Sequence, residues 1–381
     1  MRRPRAGGAG LAAFLVGLGA AWGAGNIGPV VRALATEFHL SLAAVGVLSG
    51  TMFFGGLVVA AVFATALAER IGIVWSLRVI CLLCAAGYLL FAVAPSFAVL
   101  VAARLIAGIG TGFAMVIAPV FARENGGVKL VGVVGASIQL GVAGALIVGS
   151  LLEDAGVGWR VGFVVSAGVA LSALPFLRGV RGESAPRHPR HLLEAEVRDP
   201  DLWRLALLFV ATLTVPMVVG AWLVAFLVGS GMAAAIAGAL SFVMFGSSAA
   251  MRVTGGRLSA RAESTRILSG TVLLAAAGLA LLAVDQRPVI VLVAVVLMGA
   301  GFALPYATMQ VEAQWLFPSE PVAPTSFLTL IANAMPIAVI PLVGSALEGG
   351  HGERALLLLA AFVGLAGVLN LRPPTRQIQA G

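Results

Sequence analysis

Charge is what this 381-residue chain has least of: 10% of its residues are Asp, Glu, Lys or Arg, against 60% hydrophobic, and the mean hydropathy is +1.05. Soluble domains carry about 25% charged and about 45–50% apolar residues. Most of this chain therefore lacks the polar surface that water requires, and an ordinary soluble enzyme is excluded. Cysteine is nearly absent. Cys81 and Cys84 lie one helical turn apart in an apolar run, which makes them small buried hydrophobes rather than a redox or metal pair. Lysine is rarer still, with Lys129 alone among 24 basic residues. No basic stretch is interleaved with aromatics in the manner of single-strand binders, so nucleic acid is not an expected partner. The 16 acids and 4 histidines form no HExxH or comparable spacing, so no enzyme activity, metal or cofactor is expected. Arg2, Arg3 and Arg5 precede an apolar stretch that runs to Val31. That is too long for a cleaved signal, and it predicts a retained first helix.

What remains is a succession of apolar segments, each near the ~20 residues that a membrane-crossing helix needs. Six are expected at Gly10–Val31, Leu42–Ala68, Ile73–Ala94, Phe97–Ala122, Leu130–Leu152 and Val161–Leu177. Six more are expected at Leu202–Val228, Ala233–Met251, Ile267–Val284, Val289–Leu316, Pro324–Leu347 and Ala355–Leu371. Twelve crossings put both termini on one side. With that side cytoplasmic, it holds 19 of the 24 basic residues, the opposite side holds Arg32, Arg160, Arg287 and Arg354, and Arg104 stays inside a helix. The asymmetry obeys the positive-inside rule, accounts for the +8 charge, and predicts a multi-pass protein of the cell (inner) membrane with cytoplasmic termini. The chain also looks duplicated: Leu67-Ala68-Glu69-Arg70 after the second segment returns as Leu258-Ser259-Ala260-Arg261 after the eighth. The expected organisation is a six-helix bundle over 1–177, a cytoplasmic linker over 178–201 and a second six-helix bundle over 202–381. Within the linker, Arg190–Arg198 has a weak amphipathic pattern, compatible with the membrane surface or with a solvated loop.

Three local patterns point to a family. Leu67-Ala68-Glu69-Arg70-Ile71-Gly72 is similar to the G-x-L-A-D-R-x-G-R-R loop signature, with Glu69 for aspartate and without the trailing basic pair. Its second-half copy, Gly256-Arg257-Leu258-Ser259-Ala260-Arg261, keeps the glycine and loses the acid. Leu100-x-x-x-Arg104-x-x-Ala107-Gly108-x-Gly110 looks like the helix-four arginine motif of proton-coupled exporters, and Gly158-Trp159-Arg160-x-x-Phe163 opens the sixth helix. In order, spacing and helix context the chain resembles the major facilitator superfamily of secondary transporters. The resemblance implies an all-α membrane fold of two pseudo-symmetric six-helix bundles that rock about a central site. It also implies a conformational latch at Glu69, Arg70, Gly72, Gly256 and Arg261. The proline-containing antiporter signature is absent from Gly141-Val142-Ala143-Gly144.

Arg104 lies nine residues past Pro95, roughly 13 Å along a helix at 1.5 Å per residue, and an intramembrane arginine requires a cavity or partners. It either bonds backbone carbonyls of a neighbouring helix or binds an anion. Gly108 and Gly112 place small residues on the same face, which allows close helix approach. Arg252 is a second candidate buried cation, in a stretch that resembles the helix-eight region of nitrate/nitrite porters; their helix-two arginine has no counterpart near Ala61. Glu312 is the most buried candidate among the acids and the expected coupling group. Asn26, Gln139, Trp222, Tyr306, Gln310 and Asn333 complete the candidate substrate-binding set with Arg104 and Arg252. Pro216, Pro305, Pro336 and Pro341 interrupt second-half helices, where transporter helices bend or expose carbonyls. The expected partners are the bilayer, a small solute, and a coupling proton or counter-anion, with the protein a monomer. An exporter or exchanger of a small organic compound is the first expectation, a porter for a small anion the second, and a non-transporting membrane scaffold or receptor the alternative from another class.

Overall fold

A computed structural model describes residues 6–178, 198–258, 264–306, 309, 312, 313, 316 and 322–371, all helices, turns and short connections, with no strand among them. The predicted Arg190–Arg198 segment, Gln310 and Arg261 lie outside the described residues or, for Arg198, at their edge. Ten of the helical stretches are long and apolar enough to cross a membrane, and two shorter apolar ones, Gly270–Val284 and Pro288–Ala303, occupy the places expected for the ninth and tenth segments.

The first segment breaks earlier than expected. Helix α1 (Ala6–Gly25) ends before a 3₁₀ turn at Gly28–Val30, and α2 (Val31–Glu37) continues to the first loop. Pro29 lacks the N–H that an unbroken helix would need there. Ser41 caps α3 (Leu42–Gly46) by accepting from Ala44 N at 3.1 Å. A π-helical turn (Val47–Met52) then leads into α4 (Phe53–Ile71). Gly72, at φ +82°, supplies the left-handed corner that a side chain would resist, and α5 (Ile73–Ala92) follows.

The expected fourth and fifth segments join in one helical stretch, α6 (Phe97–Asp154, 58 residues). Straight, it would measure about 87 Å, far more than a bilayer. It is not straight. In its first arm, Thr111 and Arg104 bond the Ala20 and Gly23 carbonyls of α1, so the two run antiparallel. In its second arm, Leu130, Ser137 and Val142 face Gly10, Gly17 and Gly25, so the two run parallel. The chain therefore reverses between the arms, and the two expected crossings are both present. Gly108 and Gly112 of the first arm press against the Phe53 and Leu57 carbonyls of α4, the close approach that their spacing predicted. Helix α7 (Trp159–Leu171) and a 3₁₀ turn at Leu174–Leu177 complete the first half.

In the second half, Asp199 caps α8 (Pro200–Phe209), accepting from Asp201 N and Leu202 N, with Pro200 at the first helical position. A second π-helical turn (Val210–Thr214) leads into α9 (Val215–Gly229). Then come α10 (Ala234–Leu258), α11 (Ser264–Val284) and α12 (Pro288–Ala303). Within the tenth segment, α12 ends in a turn at Leu304–Pro305, at the interruption that Pro305 predicts. Helix α13 (Val322–Ala334) and α14 (Pro336–Glu348) replace one expected segment, broken at Met335–Pro336, and α15 (Gly352–Leu369) is the last helix.

The chain forms two compact units. The first comprises Met1–Arg187, Gly220–Phe242 and Ile337–Glu348; the second comprises His188–Val219, Val243–Pro336 and Gly349–Gly381. Helices α9 and α10 are thus divided part way along their length. Backbone contact explains the membership of the first unit. A Cβ at Gly28 would stand 2.9 Å from the Gly220 carbonyl oxygen, one at Gly46 2.7 Å from Pro341 Cα, and one at Gly344 2.7 Å from the Leu42 oxygen. Only glycine permits second-half backbone to lie that close to α3 and the turn after α1.

Candidate functional site

In the first unit, Arg104 sits on α6 with 1% of its surface exposed. Its Nε donates to the Leu48 carbonyl in the first π-helical turn (3.1 Å), one terminal nitrogen to Asn26 Oδ1 (3.1 Å) and the other to the Gly23 carbonyl (2.9 Å). The guanidinium also lies 4.3 Å from the Phe53 ring centroid. Two of the three acceptors are backbone carbonyls, those of Leu48 and Gly23. Every acceptor is neutral, so the site is cationic, and one side chain ties α1, the π-helical turn, α4 and α6 together. Tyr88 and Thr111 extend the network, donating to the Gly19 and Ala20 carbonyls. Sequence patterning missed both, because a lone hydroxyl in an apolar run has no periodic signature. Asn26 Nδ2 has no partner among the described residues. It borders a crevice of about 10 Å³ lined by Trp22, Trp159 and Phe163, room for one water and not for a solute. Gln139 is buried in the second arm of α6.

The Trp159-Arg160 pair has a structural explanation. Glu37 accepts from Trp159 Nε1 at 2.6 Å and pairs with Arg160 at 2.6 Å, and the Arg160 guanidinium covers the Trp159 ring. Phe91 stacks on Phe163, and Trp159 meets both rings edge-on. The cluster joins the ends of α2, α5 and α7. Trp222 is buried and donates to the Ile340 carbonyl at 3.0 Å.

In the second unit, the Arg252 guanidinium lies 4.3 Å over the Tyr306 ring, and Tyr306 stacks on Phe209 at 5.7 Å. Arg252 Nε has no hydrogen-bond partner, and the residue forms no ion pair, among the described residues. A guanidinium layered on two aromatic rings is suited to an anionic or planar guest. Glu312 is buried but paired, its Oε1 2.8 Å from an Arg204 terminal nitrogen. Asn370, which follows α15, donates to the Arg204 carbonyl. Asn333 donates to the Thr329 carbonyl of its own helix.

The expected latch is only partly in view. Glu69 and Arg70 are exposed at the end of α4 and form no ion pair among the described residues, and Gly72 forms the corner. Gly256 lies within α10.

Similarity to known proteins covers nearly the whole chain. A bacterial homolog of the human lysosomal transporter Spinster, in an inward-facing and occupied conformation, superposes with a TM-score of 0.75 at 17% identity over 97% of each chain. A D-xylose-proton symporter superposes with 0.71 at 16% identity over 95% of this chain and 96% of that one. A nucleoside transporter gives 0.72 at 14% over 95% and 98%. In sequence, the D-xylose-proton symporter-like 2 protein of Arabidopsis thaliana is 31% identical over 160 residues, which cover 41% of this chain and 31% of that relative. Residues 13–341 match the Major Facilitator Superfamily, and the chain, a multi-pass membrane protein with this family's fold, belongs to it.

Proposed function

We propose that this protein is a secondary transporter of the inner membrane, with cytoplasmic termini, that exports or exchanges a small organic solute. In this reading, 1–177 and 202–381 are two bundles that rock to expose one binding site alternately to either side, and the protein works as a monomer. The observation that carries it is the packing at the end bearing the first loop, where α14 and part of α9 join first-half helices through glycines at backbone distance. Such a seam, built on minimal side chains, supports a closed outer end that can part without tearing an interdigitated core. The helix-four arginine pattern favours export or exchange. Glu312 is the coupling group, since proton arrival there would release Arg204, and the Glu69–Arg70 corner with Gly72, Gly256 and Arg261 is the inner latch. Of the candidate contacts, Arg252 and Tyr306 meet the solute. Asn26, Arg104, Gln139 and Trp222 set the helix framework.

The test is a thermal-shift screen of purified protein against organic anions, cations and sugars, followed by uptake in proteoliposomes. Ligand occupancy raises stability, so a substrate appears as a shift and then as flux. Compounds that bind without flux would favour a scaffold or receptor. A second reading, a porter for a small anion, is favoured by one observation: Arg104 and Arg252 lack carboxylate partners among the described residues, whereas Arg204 has Glu312. Two uncompensated cations attract an anion, and stabilisation confined to anionic compounds would select this reading.

A further inference from the structure

Pro336 and Pro341 sit five residues apart in the α13–α14 segment, and neither can donate to the carbonyl four residues before it. The carbonyls left without a helical partner are those of Ala332 and Ile337. Both are taken up by threonine. Thr214 Oγ1 donates to Ala332 O at 2.6 Å, and Thr51 Oγ1 donates to Ile337 O at 2.8 Å. Each threonine belongs to a π-helical turn, Val210–Thr214 or Val47–Met52. The two bonds differ in one respect: Thr214 and Ala332 belong to the same half of the chain, whereas Thr51 and Ile337 belong to opposite halves. Beside the second bond, Gly46 brings α3 against Pro341, and Leu42 N donates to Glu348 Oε2 at 3.1 Å.

We infer that Thr51 and the proline-freed carbonyl of Ile337 form the latch of the outer end, resting on the alternating-access reading above. Pro341 creates the acceptor and Thr51 supplies its only side-chain donor among the described residues. When the end parts, Ile337 O exchanges the hydroxyl for water, so the bond opposes opening weakly and reversibly. The Thr214–Ala332 bond lies within one half and holds the break at Pro336 through the motion. Thr51 is thus a positioning residue. It sets the balance between closed and open states without touching the solute.

The experiment measures spin-label distances across the outer end, with labels at exposed Thr36 and Ser230 in a Cys81→Ala, Cys84→Ala background in lipid nanodiscs. Thr51→Val should raise the open-to-closed ratio about fivefold, the change that corresponds to one hydrogen bond of about 1 kcal/mol. Thr51→Ser should match the parent. Pro341→Ala restores an N–H for Ile337 O, so Thr51→Val in that background should shift the ratio by less than about twofold, a coupling read by the double-mutant cycle. A parent-like ratio in Thr51→Val, or an equal shift with and without Pro341, overturns the latch alone. A single unchanging distance in every variant overturns both the latch and the transport reading beneath it.

Discussion

Arg104 shows how one side chain can organise a bundle. Burying a guanidinium in a lipid-embedded core costs at least about 2.5–3.5 kcal/mol on insertion scales, and three acceptors with the Phe53 face offset that cost. Arg104→Leu removes the donor and leaves Asn26 Oδ1 and two carbonyls facing apolar surroundings, so the thermal unfolding midpoint in detergent should fall. Arg104→Lys should not restore it, because a single ammonium cannot reproduce the guanidinium fork. If Arg104→Lys unfolds with the parent, the three-way tie is not what Arg104 provides. The aromatic cluster yields a contrasting pair. Trp159→Ala should cost about 3–5 kcal/mol, as for other buried aromatics. Glu37→Gln, at a pair whose side chains are 44% and 40% exposed, should cost no more than about 1 kcal/mol. Equal losses in thermal unfolding would contradict the division.

Helices and their breaks were unequally legible. The apolar runs located the crossings because lipid demands length and hydrophobicity at once, and Gly108 with Gly112 announced a close contact by spacing alone. The π-helical turns were invisible: Val47–Met52 and Val210–Thr214 read as ordinary apolar helix. Their widened turns are covered by hydroxyls, Ser49 to the Val45 carbonyl and Thr212 to the Leu208 carbonyl, and such local bonds leave no periodic trace. The proline positions were readable, but the threonines that answer them come from helices far away in sequence. At this scale Gly108→Ala is the sharp test. The added methyl would run into the Phe53 carbonyl, and overpacking of this kind costs about 1–3 kcal/mol. A parent-like unfolding midpoint would show that α4 and α6 can separate freely.

For the molecule as a whole, charge placement carries most of the meaning. Among the described residues, the helices hold Arg104 on neutral acceptors, Arg252 over the Tyr306 ring, and Arg204 paired with Glu312. Glu312→Gln keeps the shape of that acid but removes its charge and its titration. If Glu312 couples flux to protons, the variant should still exchange solute across a membrane yet fail to accumulate it under an imposed pH gradient. Accumulation equal to the parent would assign coupling elsewhere. The most direct measurement of the central claim is counterflow: proteoliposomes preloaded with an unlabelled compound that stabilises the protein, then given the labelled compound outside. A single site that alternates between faces predicts a transient overshoot of label, with faster entry than in empty vesicles. Entry no faster than in protein-free vesicles, for every stabilising compound, would contradict it.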